Sequence, residues 1–385
     1  MTTSPPLKGL LVADFSRALA GPYATMFLGD LGATVVKVER PGGGDESRGW
    51  APPWSNGVST YYQAINRNKR VAVCDLGSEA GRASALELCL RADVVVENFR
   101  AGTLDRMGLG SADLLSRKPD LVYCSISGFG PGAGKDMPGY DLLLQAMGGL
   151  MSVTGEADGE PLRVGVAIVD VLTGLHALVG ILAALRHRDA TGKGQHVEVN
   201  LLSSILSGLV NQASAYLNTG AVPVRMGNLH PSLAPYELVD AQDRPLALAI
   251  GNDVQFATFC AEVGIDEISA DPRFRTNASR VENRQALIER ITAALSSAPA
   301  AEWVVRLTRR GVPCGVVNRV DEAIGLATAL GLAPAIEMED SAGRRWRQVR
   351  NPISLSETPA EYHLPPTPIE QAVPLAELLS ELGQA

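Results

Sequence analysis

LLVADFSRALAGPYATMFLGDLGATVVKVERPGGGD, Leu10 to Asp45, decides the fold. Leu10 to Ala13 reads as a short apolar strand. Gly21 to Leu31 reads as a helix with Pro22 in its first turn, where a missing N–H costs nothing. Ala33 to Val38 is a second strand, ending at Glu39. Strand, helix, strand within ~30 residues is a βαβ unit, which makes the two strands parallel. The alternation continues. Arg70 to Cys74 predicts a strand, Ser78 to Leu90 a helix, and Asp93 to Val96 and Leu121 to Ile126 two more strands. The expected fold is α/β, an open parallel Rossmann-like sheet covered by helices.

Such sheets bind ligands beyond the carboxyl ends of their strands. Asp14 to Pro22 follows the first strand, Glu39 to Asp45 the second, and Glu97 to Arg100 the fourth. Lys69 and Arg70 precede the third. Arg17, Arg40, Lys69, Arg70, Arg100 and Arg106 thus form a candidate basic rim on an acidic protein. Beside a helix N-terminus, such a rim suits phosphates. The alternative is that these are solvated surface charges. Glu39 stands where a nicotinamide-binding fold keeps its ribose acid. A dehydrogenase fails, however, at the first turn. That fold needs G-x-G-x-x-G there, whereas DFSRALAGP has a lone, late glycine. Gly42-Gly43-Gly44 follows the wrong strand, lacks the Lys-Ser/Thr of a P-loop and reads as a flexible loop.

A second stretch carries chemistry: PLRVGVAIVDVLTGLHALVGILAALRHR, Pro161 to Arg188. Val164 to Val169 reads as a short buried segment and Val171 to Leu185 as an apolar helix. Asp170 between them is an N-cap by position. It is also a candidate nucleophile, since a helix N-terminus favours an ionised carboxylate and such a group in a dry pocket can act covalently. Asp141, after Tyr140, reads as the cap of its own helix.

The rest of the chain sets limits. There are 385 residues, 46% hydrophobic and 20% charged, ordinary for a protein with a large core. A net charge of −8 argues against a nucleic-acid partner. The apolar run Val171 to Leu185 falls short of the ~18 residues of a membrane span. Met1 to Pro6 has no signal-peptide pattern. The 5 cysteines are scattered, which predicts reduced thiols and a cytoplasmic protein. The 5 histidines form no pair that suggests a metal. After Gly220 a low-periodicity connector carries Arg225 and His230, which either face a substrate carboxylate or anchor the loop locally. The predicted domains are 1–220, the large sheet; 221–330, a smaller α+β unit; and 331–385, a proline-rich C-terminal segment.

Together with NRNKR at 66–70, DVVVENFRAGTLDRMGL at 93–109 and SISGFGPGAG at 125–134, the Leu10 to Asp45 stretch resembles the class III coenzyme A transferases. That family includes the α-methylacyl-CoA racemases, and the resemblance covers nearly the whole chain. It implies an interlocked homodimer whose C-terminal segment returns to the large domain. It implies coenzyme A as a substrate, with no tightly bound cofactor, metal or membrane partner. VGVAIVDVLTG aligns with the run that holds the catalytic aspartate, which carries over to Asp170. Arg17, Ala18, Arg40, Lys69, Asn98, Phe99 and Arg106 match coenzyme A contacts. Gly251 and Asn252 match a loop that covers the site and are, with Tyr140, the substrate or oxyanion candidates, together with amides at the start of the Asp170 helix; the racemases that this chain resembles have His at the Tyr140 position. The implied reaction moves coenzyme A from an acyl-CoA to a carboxylic acid through an aspartyl-CoA thioester. Leu19 stands where oxalate-directed members have Gln, and Gly251-Asn252-Asp253 replaces their glycine-rich run, which argues against oxalate or formate; IGNDVQFATFCAEVG looks more like the members acting on carnitine, succinate or C4–C5 dicarboxylates such as mesaconate. Two alternatives are an α-methylacyl-CoA racemase and a non-catalytic CoA-thioester-binding protein.

Overall fold

The computed structural model describes residues 4–383. Residues 1–3, part of the stretch inspected for a leader, and residues 384–385 of the C-terminal segment lie outside the described residues. The chain divides into two units. One comprises Met1–Leu150, Arg163–Val222 and Ala333–Ala385; the other comprises Met151–Leu162 and Pro223–Leu332.

The first unit begins with β1 (Leu11–Asp14) and β2 (Thr34–Glu39) around the helix Ala20–Asp30. A small hairpin, β3 (Trp54–Ser55) and β4 (Val58–Ser59), precedes β5 (Lys69–Val73), β6 (Val94–Glu97), β7 (Val122–Ser127) and β8 (Gln195–Asn200). In the second unit, β9 (Tyr236–Asp240), β10 (Pro245–Ala249) and β11 (Cys314–Val316) make an antiparallel sheet ordered β11-β10-β9. It shares a core with Phe256, Phe259, Leu287, Ile291, Trp303 and Leu307 of the helices that follow. Back in the first unit, β12 (Ala335–Glu339) and β13 (Arg345–Val349) form a hairpin, and β14 (Val373–Pro374) pairs in parallel with β5. The main sheet is parallel throughout, ordered β14-β5-β2-β1-β6-β7-β8.

Val94, Val95 and Val96 are wholly buried, as expected of a strand covered on both faces. One face packs on the helices Ala20–Asp30 and Ile168–Thr191 through Ala24, Phe27, Ala177 and Ile181. The other packs on Leu88, Leu114, Leu375 and Leu378 of three further helices. At Gly174 a Cβ would stand 2.6 Å from the carbonyl oxygen of Ala20, so this glycine lets the two inner helices touch. The C-terminal segment is tied to Asp30, which accepts from Arg67, Asn68 and Asn351 at 2.6–2.9 Å.

Three expectations change. The segment expected to be buried is not: Gly165 and Val166 are exposed and Val164 and Ala167 half-buried, and the helix begins at Ile168 and runs to Thr191. That helix is long and apolar enough to cross a membrane by length and composition, and here it lies against the sheet. The predicted helix over Leu201 to Asn218 is two, Leu201–Gly208 and Val210–Thr219, the second opening on Val210 at a φ of 40°.

Candidate active site

The strand order reverses at β1, with β2 on one side and β6 on the other. A crevice therefore opens above the carboxyl ends of β1 and β6. The loops after these strands clamp each other. The Arg17 amide donates to Asn98 Oδ1 at 2.9 Å, and Asn98 Nδ2 donates to the Arg17 carbonyl at 2.7 Å. The Arg17 guanidinium lies over the Phe99 ring, 4.9 Å from its centre. Its Nη1 is 3.4 Å from Glu46, and its buried Nε has no hydrogen-bond partner. Ala18 has a φ of 64°, a region that costs a non-glycine residue ~1 kcal/mol or more.

The glycines of these turns serve packing. A Cβ on Gly21 would lie 2.2 Å from Ser16 Cβ, so the late glycine of DFSRALAGP lets the helix close on its own loop. Gly42, Gly43 and Gly44 all have positive φ, and a Cβ on Gly44 would lie 2.0 Å from Glu39 Oε2. Gly44 thus packs against Glu39, while a Cβ on Gly42 or Gly43 would meet nothing within 4 Å. Glu39 itself is occupied. It accepts from Arg48 at 2.7 and 3.0 Å, from Tyr62 at 2.9 Å and from the Asp45 amide at 3.0 Å. Nothing is left for a ribose.

Asp170 is the third residue of its helix and not its cap. The cap comes from elsewhere. Asp141 Oδ1 accepts the amides of Val169 at 2.8 Å and Asp170 at 3.3 Å. Asp141 opens the helix Asp141–Met147, and its other oxygen accepts from Gln145 at 2.6 Å. Gln145 Oε1 in turn accepts the Val164 amide at 2.8 Å. Residues 141 and 145 share a helix face, and both brace the approach to Asp170. Asp141 thus caps the Asp170 helix, not its own as expected. The Ile168 and Val171 amides bond to Val166 and Ala167. The first-turn amides are therefore engaged and are not the oxyanion donors anticipated above.

Burial, then the Asp141 charge, push the Asp170 carboxyl up to about 7. The helix N-terminus acts the other way, but it is worth at most ~2 kcal/mol and does not win. Burial and the charges of Asp170 and Asp141 also push the Tyr61 hydroxyl up to about 12. Asp170 lies in a cleft of about 930 Å³ whose wall includes Arg17, Ala18, Asn98, Phe99, Lys135 and Tyr140. A neighbouring cavity of about 690 Å³ holds Glu97, Ser125 and His196. Asp170 lines the first and not the second.

The cleft thus gathers Arg17, Ala18, Asn98, Phe99, Tyr140 and Asp170, with Arg100. Lys69 is a correction. It is fully buried, its ammonium 3.1 Å from Asp14 and bonded to the Pro22 carbonyl and Asn66 at 2.8 and 3.0 Å. Lys69 and Arg70 begin β5, and the Lys69 ammonium is taken up by Asp14 at the end of β1. Arg70 pairs with Glu381. Arg40 and Arg106 are exposed outside the cleft lining, held by the Gly44 carbonyl and Thr103. Gly251 and Asn252 belong to the second unit, where the Asn252 side chain caps the helix Asp253–Val263. Arg225 donates to the carbonyls of Glu156 and Gly159, and His230 Nδ1 accepts the Ser232 amide. Both are loop anchors. Sequence reasoning missed Lys135, whose SISGFGPGAG neighbours gave the only signal, and the reach of Asp141, which left none. Among the described residues no group of His, Cys, Asp and Glu is set to hold a metal.

Residues 7–371 match the model of the CoA-transferase family III. The chain is 41% identical to a succinate–glutarate CoA-transferase of Agrobacterium fabrum, over 97% of this chain and 96% of that protein. It is 41% identical to an acetyl-CoA:oxalate CoA-transferase of Acetobacter aceti, over 83% of each. The crystal structure of a CAIB/BAIF family protein from Brucella suis superposes with a TM-score of 0.86 at 38% identity, over 99% of this chain and 100% of that one.

Proposed function

Because this chain belongs to the CoA-transferase family III and is a CoA-transferase, we propose that it moves coenzyme A from an acyl-CoA to a small dicarboxylate through a thioester on Asp170. The observation that carries this is the Asp170 carboxyl lining the cleft, its near charged neighbour the Asp141 carboxylate and no cation, and its helix braced by Asp141. An Asp170 oxygen attacks the acyl-CoA carbonyl, the C–S bond breaks, and the thiolate leaves an aspartyl–acyl anhydride. The thiolate then attacks the Asp170 carbonyl carbon, releasing the first acid and forming aspartyl-CoA. The incoming carboxylate attacks that thioester and expels the thiolate. The thiolate finally takes the new acyl group and returns the Asp170 carboxylate. A covalent relay is needed because a free carboxylate displaces a thiolate poorly. Tyr140, 60% exposed on the cleft wall, is the candidate donor to the oxyanion.

In this reading coenzyme A runs along the Arg17–Phe99 wall. Arg17, with its unmet Nε, and Lys135 and Arg100 are the cations for its phosphates, with Arg40 and Arg106 further out. Leu19, buried in the cleft lining, gives the acyl group an apolar wall. The relative named for succinate and glutarate favours acids of that length. The five unpaired cysteines fit a cytoplasmic enzyme. Val179, Leu206, Val210 and Leu217 are each at least 48% exposed, an apolar surface that fits burial in a homodimer.

The test offers succinyl-CoA as donor to a panel of mono- and dicarboxylic acids, read by mass spectrometry, with borohydride trapping of the acyl-enzyme. The expected result is exchange onto C4–C5 dicarboxylates and a reduced residue at 170. Exchange without any label on Asp170 would overturn the covalent route. Tight coenzyme A binding with no exchange onto any acid would favour a pure binding role.

A further inference from the structure

The functional reading leaves a cluster of buried charge beneath the cleft without a role. Asp14, Lys37, Asp45 and Lys69 are each at most 1% exposed. Lys37 Nζ is 2.8 Å from Asp45 Oδ2 and donates to the Ser16 carbonyl at 2.9 Å. Asp45 Oδ1 accepts the Ala18 amide at 3.2 Å and the Ser47 amide at 2.9 Å. Asp14 accepts the Ser16 amide at 3.0 Å and the Ser16 hydroxyl. Asn98 holds both the N–H and the carbonyl of Arg17. The backbone is therefore tied at five successive polar groups, from the Ser16 amide to the Ala18 amide. A three-residue loop seldom needs so many anchors. This one does, because Ala18 sits at a φ of 64°, a conformation that a non-glycine residue keeps only when its surroundings impose it.

The consequence lies at the cleft. Arg17 is between the two anchored residues, and its side chain lines the cavity. We propose that the buried Lys37–Asp45 pair positions the substrate loop: by holding the Ser16 carbonyl and the Ala18 amide it fixes the left-handed turn that aims Arg17 at the phosphates of coenzyme A. The proposal rests on the coenzyme A reading of the cleft. Lys37 and Asp45 are positioning residues, since neither lines the cavity. A buried ion pair is weak evidence of stabilisation by itself, because desolvation offsets its attraction. A role in fixing one loop geometry accounts for the two charges being kept where apolar residues would also pack.

The experiment compares Asp45→Asn, Asp45→Ala and the double variant Lys37→Met/Asp45→Asn with wild type. Asp45→Asn keeps an acceptor for the Ala18 amide. The double variant removes both charges and so avoids leaving one buried ion unpaired, which guards against simple unfolding. Folding is followed by circular dichroism, coenzyme A affinity by calorimetry, and the two KM values of the exchange separately. The expected order is a small loss of coenzyme A affinity in Asp45→Asn and a loss of tenfold or more in the other two, with the KM for the acid acceptor unchanged. Wild-type coenzyme A affinity in folded Asp45→Ala or in the folded double variant overturns the proposal. So does an equal rise in both KM values, which a general loosening would give. Failure of the wild type to bind coenzyme A would instead bring down the functional reading together with this one.

Discussion

Two carboxylate sites lie within one unit of this protein and have opposite electrostatics. Asp14, at the end of β1, is buried among Lys69, Lys37, Ser16 and Thr25. Asp170, in the first turn of its helix, has as its close charged neighbour another carboxylate, Asp141. Burial pushes both carboxyls up. Around Asp14 burial is the largest influence, but the two lysines with the Ser16 and Thr25 hydrogen bonds together outweigh it and hold the carboxyl below the ordinary range. Around Asp170 the neighbouring charge adds to burial, and the carboxyl rises to about 7. Balanced charge fixes a loop; unbalanced charge leaves a group reactive and cleft-facing, the pattern expected of functional carboxyls.

The largest break in this comparison comes from removing the unbalanced group. Asp170→Ala should lower exchange by ~10³-fold or more, as loss of a covalent nucleophile does, while coenzyme A affinity and the circular dichroism spectrum stay those of wild type. Residual exchange within tenfold of wild type would show that Asp170 is not the relay.

The balanced site should respond in the other currency. Lys69→Met leaves Asp14 buried with Lys37 as its remaining cation, and removing one partner of a buried pair costs ~3–5 kcal/mol. A chemical denaturation midpoint should fall accordingly. A loss under ~1 kcal/mol would mean that Lys37 alone balances Asp14 and that Lys69 is not needed for it.

This contrast also shows what could be read in the chain. The βαβ start and the apolar helix after Asp170 are legible, because apolar period and turn residues are local signals; the start of that helix is not, because its cap comes from Asp141. Lys69 was misplaced for a physical reason. A lysine at a strand end looks like a surface charge until the Asp14 carboxylate that draws it inward is known, and that pair spans 55 positions. Asp141 reaches amides 28 and 29 positions away, which no local pattern records. Ala18 adopts a turn that sequence assigns to glycine, because five neighbouring bonds impose it.

A smaller effect tests the sign of the electrostatics. If exchange needs the Asp170 anion, activity should rise with pH through about 7 and level off above it. Asp141→Asn keeps an acceptor for the Val169 and Asp170 amides but removes the like charge, so the midpoint should move down. Stability should run the other way at the two sites. The Asp170 pKa is raised, so its contribution is complete below 3.8 and is lost as pH climbs through about 7. Asp45, held at about 2 because Lys37 and Ser47 outweigh burial, contributes above 3.8 and loses that as pH falls through about 2. Asp170→Asn should therefore stabilise the protein at pH 8, by on the order of 1–2 kcal/mol after allowance for partial exposure, and make no difference near pH 4. An unchanged midpoint in Asp141→Asn would show that burial alone sets the Asp170 value.

The smallest expected effect is none, and it separates transfer from racemisation. A racemase takes a proton from the carbon beside the thioester on one face and returns it on the other, so it needs two acid/base groups flanking that carbon. Asp170, near 7, is suited to be one. A second is harder to find. Racemases resembling this chain have His where this sequence has Tyr140. Tyr140 stands 60% exposed on the cleft wall, with no imidazole at that position to take up or return a proton. Tyr61 is worse placed, its hydroxyl pushed to about 12 by burial and by the two aspartates. His176 is bonded to Ser204 some way down the Asp170 helix and lines neither cavity. A 2-methylacyl-CoA incubated with the enzyme in deuterium oxide should thus show no enzyme-dependent deuterium at the α-carbon by mass spectrometry, in the wild type and in Tyr140→Phe alike. Fast uptake in the wild type, abolished by Tyr140→Phe, would make Tyr140 the missing partner of Asp170 and turn the unbalanced site from a nucleophile into a base.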